Sequence, residues 1–256
     1  ALTPALEAAV QAEYALSFDQ FASFSGACAK LAIDSGNAVL KKRWSELLSA
    51  LADLEGYVAT DLAPALKQLT LGSRSSWSSY PKGAGPSDFD VSRFDRHFSL
   101  IRRPIVALDA TDDPYLLVSP VLIERAALHN LAGALQGGLQ GRFWSSPQMR
   151  SFVGAMAERT GLDFNVRAAE AARQSGARAF DSVPLSDALQ HKGTDTVKRL
   201  GDIDILAFSQ DGLHAWVIEA KDIRFCRTLG ETTSRLSEYR GQTDSRGRRD
   251  NLRKHL

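Results

Sequence analysis

The stretch that most constrains this chain is GDIDILAFSQDGLHAWVIEAKD, residues 201–222. Two strand-length runs rich in Ile, Leu, Val and Trp flank Asp211-Gly212, a dipeptide that favours tight hairpin turns. Strand side chains alternate between faces, so Asp202 and Asp204 share one face of the first run, with Ile203 and Ile205 opposite. In the second run Val217, Glu219 and Lys221 share a face, and Trp216, Ile218 and Ala220 take the other. Paired as a hairpin, the runs bring two or three carboxylates and one ammonium into a small area. The simplest account is an amphipathic strand with a solvated charged face. Against it, the flanking residues are apolar enough for the centre of a sheet, where uncompensated charge is costly.

Clustered carboxylates repel one another unless a cation sits between them, and hard oxygen ligands suit Mg²⁺ or Mn²⁺. A lysine two residues from such a ligand can orient or deprotonate an attacking water. It can also offset charge that builds on a phosphate during attack. The constellation is chemically complete for phosphodiester hydrolysis.

The order GDIDILAF, short turn, VIEAKD resembles the PD-(D/E)xK, or restriction-endonuclease-like, nuclease superfamily, over roughly residues 145–256. The resemblance implies an α/β domain with a mixed α+β sheet whose core runs helix, three strands, helix, strand. It implies Asp204 and Glu219 as metal ligands, the Ala220 carbonyl completing the site, and Lys221 as the catalytic lysine. The implied activity is Mg²⁺- or Mn²⁺-dependent endonuclease cleavage, expected on DNA. Ile203 stands where the superfamily has proline. Asn165 stands where many members carry a glutamate on the first core helix, which leaves Asp163, Glu170 and Asp202 as further acidic candidates. A last core strand should follow the second helix, but the sequence stops at Leu256, so the chain is expected to be a piece of a longer protein.

Downstream the charge is local and positive. Residues 221–256 hold ten Lys or Arg against five acids. Besides Lys221, the basic residues are Arg224, Arg227, Arg235, Arg240, Arg246, Arg248, Arg249, Arg253 and Lys254. These are the expected phosphate contacts, salt-dependent and blind to sequence. The whole chain has a formal net charge of +1, so any attraction to nucleic acid must come from such a local patch.

The rest of the chain reads as support. Residues 1–71 are expected to be helical: Thr3-Pro4 opens one helix, DSGN at 34–37 interrupts, and AVLKKRWSELLSALADLEG resumes helical spacing until Gly56. The charges in LKKRWSE are expected on a solvated helix face. Residues 72–88 read as a linker or long loop in which Trp77 and Tyr80 pack back on the protein. Within 89–144, RRPIVALD and YLLVSP predict a hairpin, followed by a helix from Ser119-Pro120 to about Gln136. Asp109, Asp112 and Asp113 are expected to serve the hairpin turn rather than a metal. From 145 on, two helices are expected, broken at Gly161 and ending at Gly176, then three strands and a helix over 228–240.

Other classes are excluded. Cys28 and Cys226 and the five scattered histidines make no metal-binding spacing, and the phosphate-loop, dinucleotide and serine-hydrolase motifs do not occur. The cysteines predict buried reduced thiols in a cytoplasmic protein. No run reaches the ~18–20 apolar residues of a membrane span. The expected partners are nucleic acid, a protein docking on the N-terminal helices and, for cutting both strands, a second copy of the chain. The competing reading is a nuclease fold kept as an inactive binding or assembly scaffold.

Overall fold

The computed structural model describes residues 3–74, 76, 80, 84–90, 94, 96–139, 143–188, 202–221 and 228–237. The chain forms two compact units, 1–153 with 225–256, and 154–224.

In the first unit, α1 (Pro4–Tyr14) begins where the Thr3 hydroxyl accepts from the Leu6 amide at 3.3 Å. In α2 (Phe18–Asp34), Ser17 and Gln20 cap each other reciprocally, which satisfies amides that have no partner in the first turn. Next come β1 (Leu40–Arg43), α3 (Trp44–Glu55), α4 (Ala59–Leu69) and β2 (Thr70–Leu71). Then follow α5 (Pro86–Phe89), β3 (Ile105–Ala107), β4 (Tyr115–Val118) and α6 (Pro120–Leu135). The strands join in the order β1-β4-β3-β2, antiparallel except for the parallel β2–β3 pair. Phe21, Phe24, Leu47, Leu51, Leu62, Leu66, Ile105, Leu116 and Ile123 are wholly buried between these helices and the sheet.

Two expectations change here. LKKR is a strand, not a helix face. Its backbone pairs with β4, and the cationic groups of Lys41 and Arg43 lie 4.6 and 4.1 Å from the centre of the Tyr115 ring. Sheet pairing and the aromatic face outweigh a helical spacing that propensity supports only weakly. The N-terminal region is also not helical alone, because β1 and β2 share a sheet with β3 and β4. Residues 72–88 therefore connect parts of one unit rather than two domains.

Of the acidic turn residues, Asp109 serves its own turn as expected, whereas Asp113 reaches across the unit to the start of α3. The Asp113 carboxylate accepts from the Ser45 amide at 2.8 Å, at the start of α3. Asp109 accepts from the amides of Thr111 and Tyr115, both at 3.2 Å. Tyr80 packs its ring 5.5 Å from that of Phe89, whereas Trp77 lies outside the described residues.

Helix α7 (Pro147–Gln174) is continuous where two helices were expected. A side chain at Gly161 would meet nothing within 4 Å, and its φ is not in the left-handed region, so it sits in the helix as an ordinary interior residue. The true stop is Gly176, with φ +94°. At the helix start the Ser146 hydroxyl accepts from the Met149 amide at 3.1 Å. The buried Glu13 carboxylate accepts from the amides of Ser145 and Ser146 at 2.9 and 2.7 Å.

The second unit continues with β5 (Arg178–Pro184), α8 (Leu185–Ala188), β6 (Asp202–Phe208) and β7 (Ala215–Ile218) in an antiparallel sheet ordered β5-β6-β7. Its core is small: Ala169, Ala179, Ile205 and Ala207 are buried, with Ala168, Ala172, Ala177 and Ala220 packed around them. The expectation of strands buried at a sheet centre fails for β7, all four residues of which are exposed. The predicted last helix is α9 (Leu229–Ser237), which groups with the first unit, where the Glu231 carboxylate accepts from the Phe94 amide at 2.8 Å. Among the described residues, no helix is long and apolar enough to cross a membrane.

Candidate functional site

The pairing of β6 with β7 matches Ile205 with Ile218, Leu206 with Val217, Ala207 with Trp216 and Phe208 with Ala215. The pairing ends at Ile205 and Ile218, and just beyond it the Ala220 amide reaches the Asp204 carboxylate, which brings the Glu219–Lys221 segment beside Asp204. The end of the hairpin thus carries Asp204 on β6 and, just past β7, Glu219 and Lys221. The turn at Asp211-Gly212 fixes that register, Gly212 supplying the positive φ of +72°.

The geometry around Asp204 is specific. One carboxylate oxygen accepts from the Asn165 side-chain amide at 3.2 Å, and the other from the Ala220 backbone amide at 2.9 Å. The first bond ties β6 to α7. The second brings the Ala220 peptide against Asp204 and orients the segment between Glu219 and Lys221. Lys221 Nζ forms an ion pair with Glu219 Oε1, and both side chains are well exposed. Charge-assisted bonds of this kind hold a cluster of like charges together without burying them.

The other candidates separate. Asp202 is exposed at the start of β6. Asp163 is exposed on α7, and its carbonyl accepts from Arg167. Glu170 pairs with Arg173 at 3.1 Å, and Arg173 also reaches Asp181 at 3.3 Å, so Glu170 belongs to a salt-bridge pair rather than to the Asp204 group. Of the basic residues, Arg224, Arg227, Arg240, Arg246, Arg248, Arg249, Arg253 and Lys254 lie outside the described residues. Arg235 falls on α9, with its side chain outside them as well.

Ser182 escaped the sequence reading. The β5–β6 pairing passes from Asp181–Ile205 to Val183–Ile203, leaving out Ser182 and Asp204. Ser182 carries φ +49°, a left-handed conformation that costs a non-glycine residue ~1 kcal/mol or more. No local sequence signal marks it, since serine in a strand normally predicts nothing of the kind.

Among the described residues, no group of three or more His, Cys, Asp and Glu side chains is placed to hold a metal ion. Asp204 and Glu219 offer two hard carboxylates. That oxygen-only donor set fits Mg²⁺ or Mn²⁺ and does not fit zinc, which favours nitrogen and sulfur.

In comparisons with known proteins, a family model described as "Anti-phage protein Upx-like" matches residues 6–256. No curated protein and no solved structure matches the chain.

Proposed function

The chain belongs to the Upx-like family of anti-phage proteins, a defence role, and from that premise we propose that it is a divalent-metal nuclease acting on DNA through the Asp204–Glu219–Lys221 site. The observation that carries this reading is the Ala220 amide's bond to the Asp204 carboxylate, which brings the Glu219–Lys221 segment beside Asp204, with Lys221 on Glu219. Asp204, Glu219 and the Ala220 carbonyl would hold Mg²⁺ or Mn²⁺. Bound there, the ion supplies Lewis-acid polarisation of a phosphate oxygen. Asn165 and the Ala220 amide keep Asp204 aimed, so little reorganisation is needed on substrate binding. Lys221 leaves Glu219 to orient the attacking water and to neutralise charge on the phosphate. The water oxygen bonds to phosphorus as the bond to the leaving sugar oxygen breaks. The restriction-endonuclease-like fold, a homodimer that cuts both strands, and protein docking on the N-terminal helices belong to the same proposal.

Calorimetric titration with Mn²⁺, paired with a DNA cleavage assay, tests it. Asp204→Ala should abolish both binding and cleavage. Lys221→Ala should bind Mn²⁺ and cut ~10²-fold or more slowly, the usual cost of losing one transition-state contact. Cleavage retained by a folded Asp204→Ala protein overturns the proposal.

A second reading, a nuclease-like domain that binds without cutting, is favoured by one observation. Asn165, an amide where the superfamily often has an acid, donates to Asp204 rather than adding a ligand. Wild-type protein that takes up no Mn²⁺ selects this reading.

A further inference from the structure

The sheet of the second unit has one covered face and one open face. Ala179, Ile205 and Ala207 are buried together with Ala169 of α7, so the helix closes the side to which they point. Strand side chains alternate, and opposed residues of an antiparallel pair share a face. The other side is therefore laid out in rows that the register fixes. One row crosses the sheet as Phe180, Leu206 and Val217, and the next as Arg178, Phe208 and Ala215.

An apolar sheet face normally lies against a helix or a second sheet. Here Phe180 is 48% exposed and Val217 71%, while Leu206 and Phe208 are half-buried. The Phe180 and Phe208 rings meet edge to face, with centres 6.4 Å apart and planes at 75°. That arrangement leaves ring faces available to a further flat partner. Arg178 carries the only charge in the two rows and is exposed at the start of β5. Two residues beyond Leu206 on β6, about 7 Å along the strand, stands Asp204, where the candidate acidic site begins. From one end to the other the sheet thus presents a cation, a pair of rings and a carboxylate.

We infer that this open face is a platform for unpaired nucleotides, with bases stacked on Phe180 and Phe208, a phosphate on Arg178 and the strand leading toward Asp204. Aromatic side chains on an exposed sheet face stack bases whatever their identity, because every base has a flat π-face. A duplex cannot use them, since its bases already stack on one another. An apolar protein partner would bury Arg178 without a counter-charge, a costly step, whereas a strand brings a phosphate for it. The inference deepens the proposed nuclease function by naming its substrate class, DNA with single-stranded stretches or ends, and it rests on that reading for the choice of nucleic acid.

The test is fluorescence anisotropy on the full chain in EDTA, which keeps any cleavage out of the readout. The labelled DNA probes are a thymidine strand, an abasic strand and a blunt duplex, all of one length. The abasic strand keeps the phosphates and lacks the bases, so the thymidine strand should bind about tenfold or more tightly than it, and likewise than the duplex. Phe180→Leu keeps apolar bulk but removes the ring, and it should weaken strand binding about tenfold. Phe180→Tyr, which restores a ring at that position, should regain most of the loss. Arg178→Gln should lower the slope of log affinity against log salt by about 0.7, the share of one phosphate contact on a single strand. No binding of the thymidine strand overturns the inference. So does an abasic strand or duplex bound as tightly, or wild-type affinity in a folded Phe180→Leu protein. Strand binding by a protein that takes up no Mn²⁺ would sink the nuclease reading and keep the platform. Mn²⁺-dependent cutting of duplex by a protein with no preference for the single strand would do the reverse.

Discussion

Two buried residues of the first unit show how burial alone sets chemistry. Burial pushes the Cys28 thiol up to about 12, and it raises the Tyr14 hydroxyl well above its ordinary value. At neutral pH Cys28 is therefore a protonated, inert packing group rather than a nucleophile. The sign for stability follows. Above about pH 9 the unfolded chain releases this proton while the folded chain keeps it, so stability is full below that value and falls as pH rises toward 12. The slope approaches ~1.4 kcal/mol per pH unit for one such group. Urea unfolding at pH 8 and pH 10.5 should show this loss, and Cys28→Ala should flatten it relative to wild type. A wild-type stability unchanged between those pH values would show that the thiol titrates normally. Peptide-resolved alkylation at pH 8 should likewise leave Cys28 unmodified until denaturant is added.

At the scale of elements, α7 separates two glycines that look alike in sequence. Gly161 is interior helix with open space around it, so Gly161→Ala should stabilise the protein by ~1 kcal/mol. Gly176 has φ +94°, and a Cβ there would come within 3.0 Å of the Gln210 side chain, so Gly176→Ala should destabilise by at least as much. Chemical denaturation reads both signs at once, and a reversed pair would refute the continuous helix. The same contrast shows what was legible in the sequence. Thr3-Pro4, Ser146, Gly56 and Gly176 announced their helix ends because caps and left-handed glycines act locally. The hairpins at 105–118 and 202–218 were legible because period-two spacing and turn residues are local too. LKKR was not, because its strand state depends on Tyr115 seventy-two residues beyond Arg43. Asp204 and Glu219 stood out as charge amid apolar residues. Their supports, the Asn165 amide and the skipped pair at Ser182, are tertiary facts. The open face of the second unit's sheet was illegible for the same reason, since Phe180, Phe208 and Val217 meet only once three strands pair.

At the scale of the whole molecule, the two units differ in how much core each owns. The first buries aromatic and aliphatic side chains from α1, α2, α3, α4, α6 and a sheet, whereas the second buries mainly alanines and Ile205. Local stability should follow that difference. Amide hydrogen exchange in β6 should proceed by openings of lower free energy than those in α2, and equal protection would contradict the assignment of separate cores. If the proposed metal site is right, Mn²⁺ should raise the protection of β6 and β7, since a ligand that binds only the folded form stabilises it. The first unit's sheet has a consequence in time. At about 5–20 residues per second, a ribosome that has made β1 needs several more seconds to make β4. Until then a strand edge waits without its partner. The lysines and arginine of LKKR, misleading as a helix face, suit that interval: charge on a waiting edge discourages neighbouring chains from pairing with it.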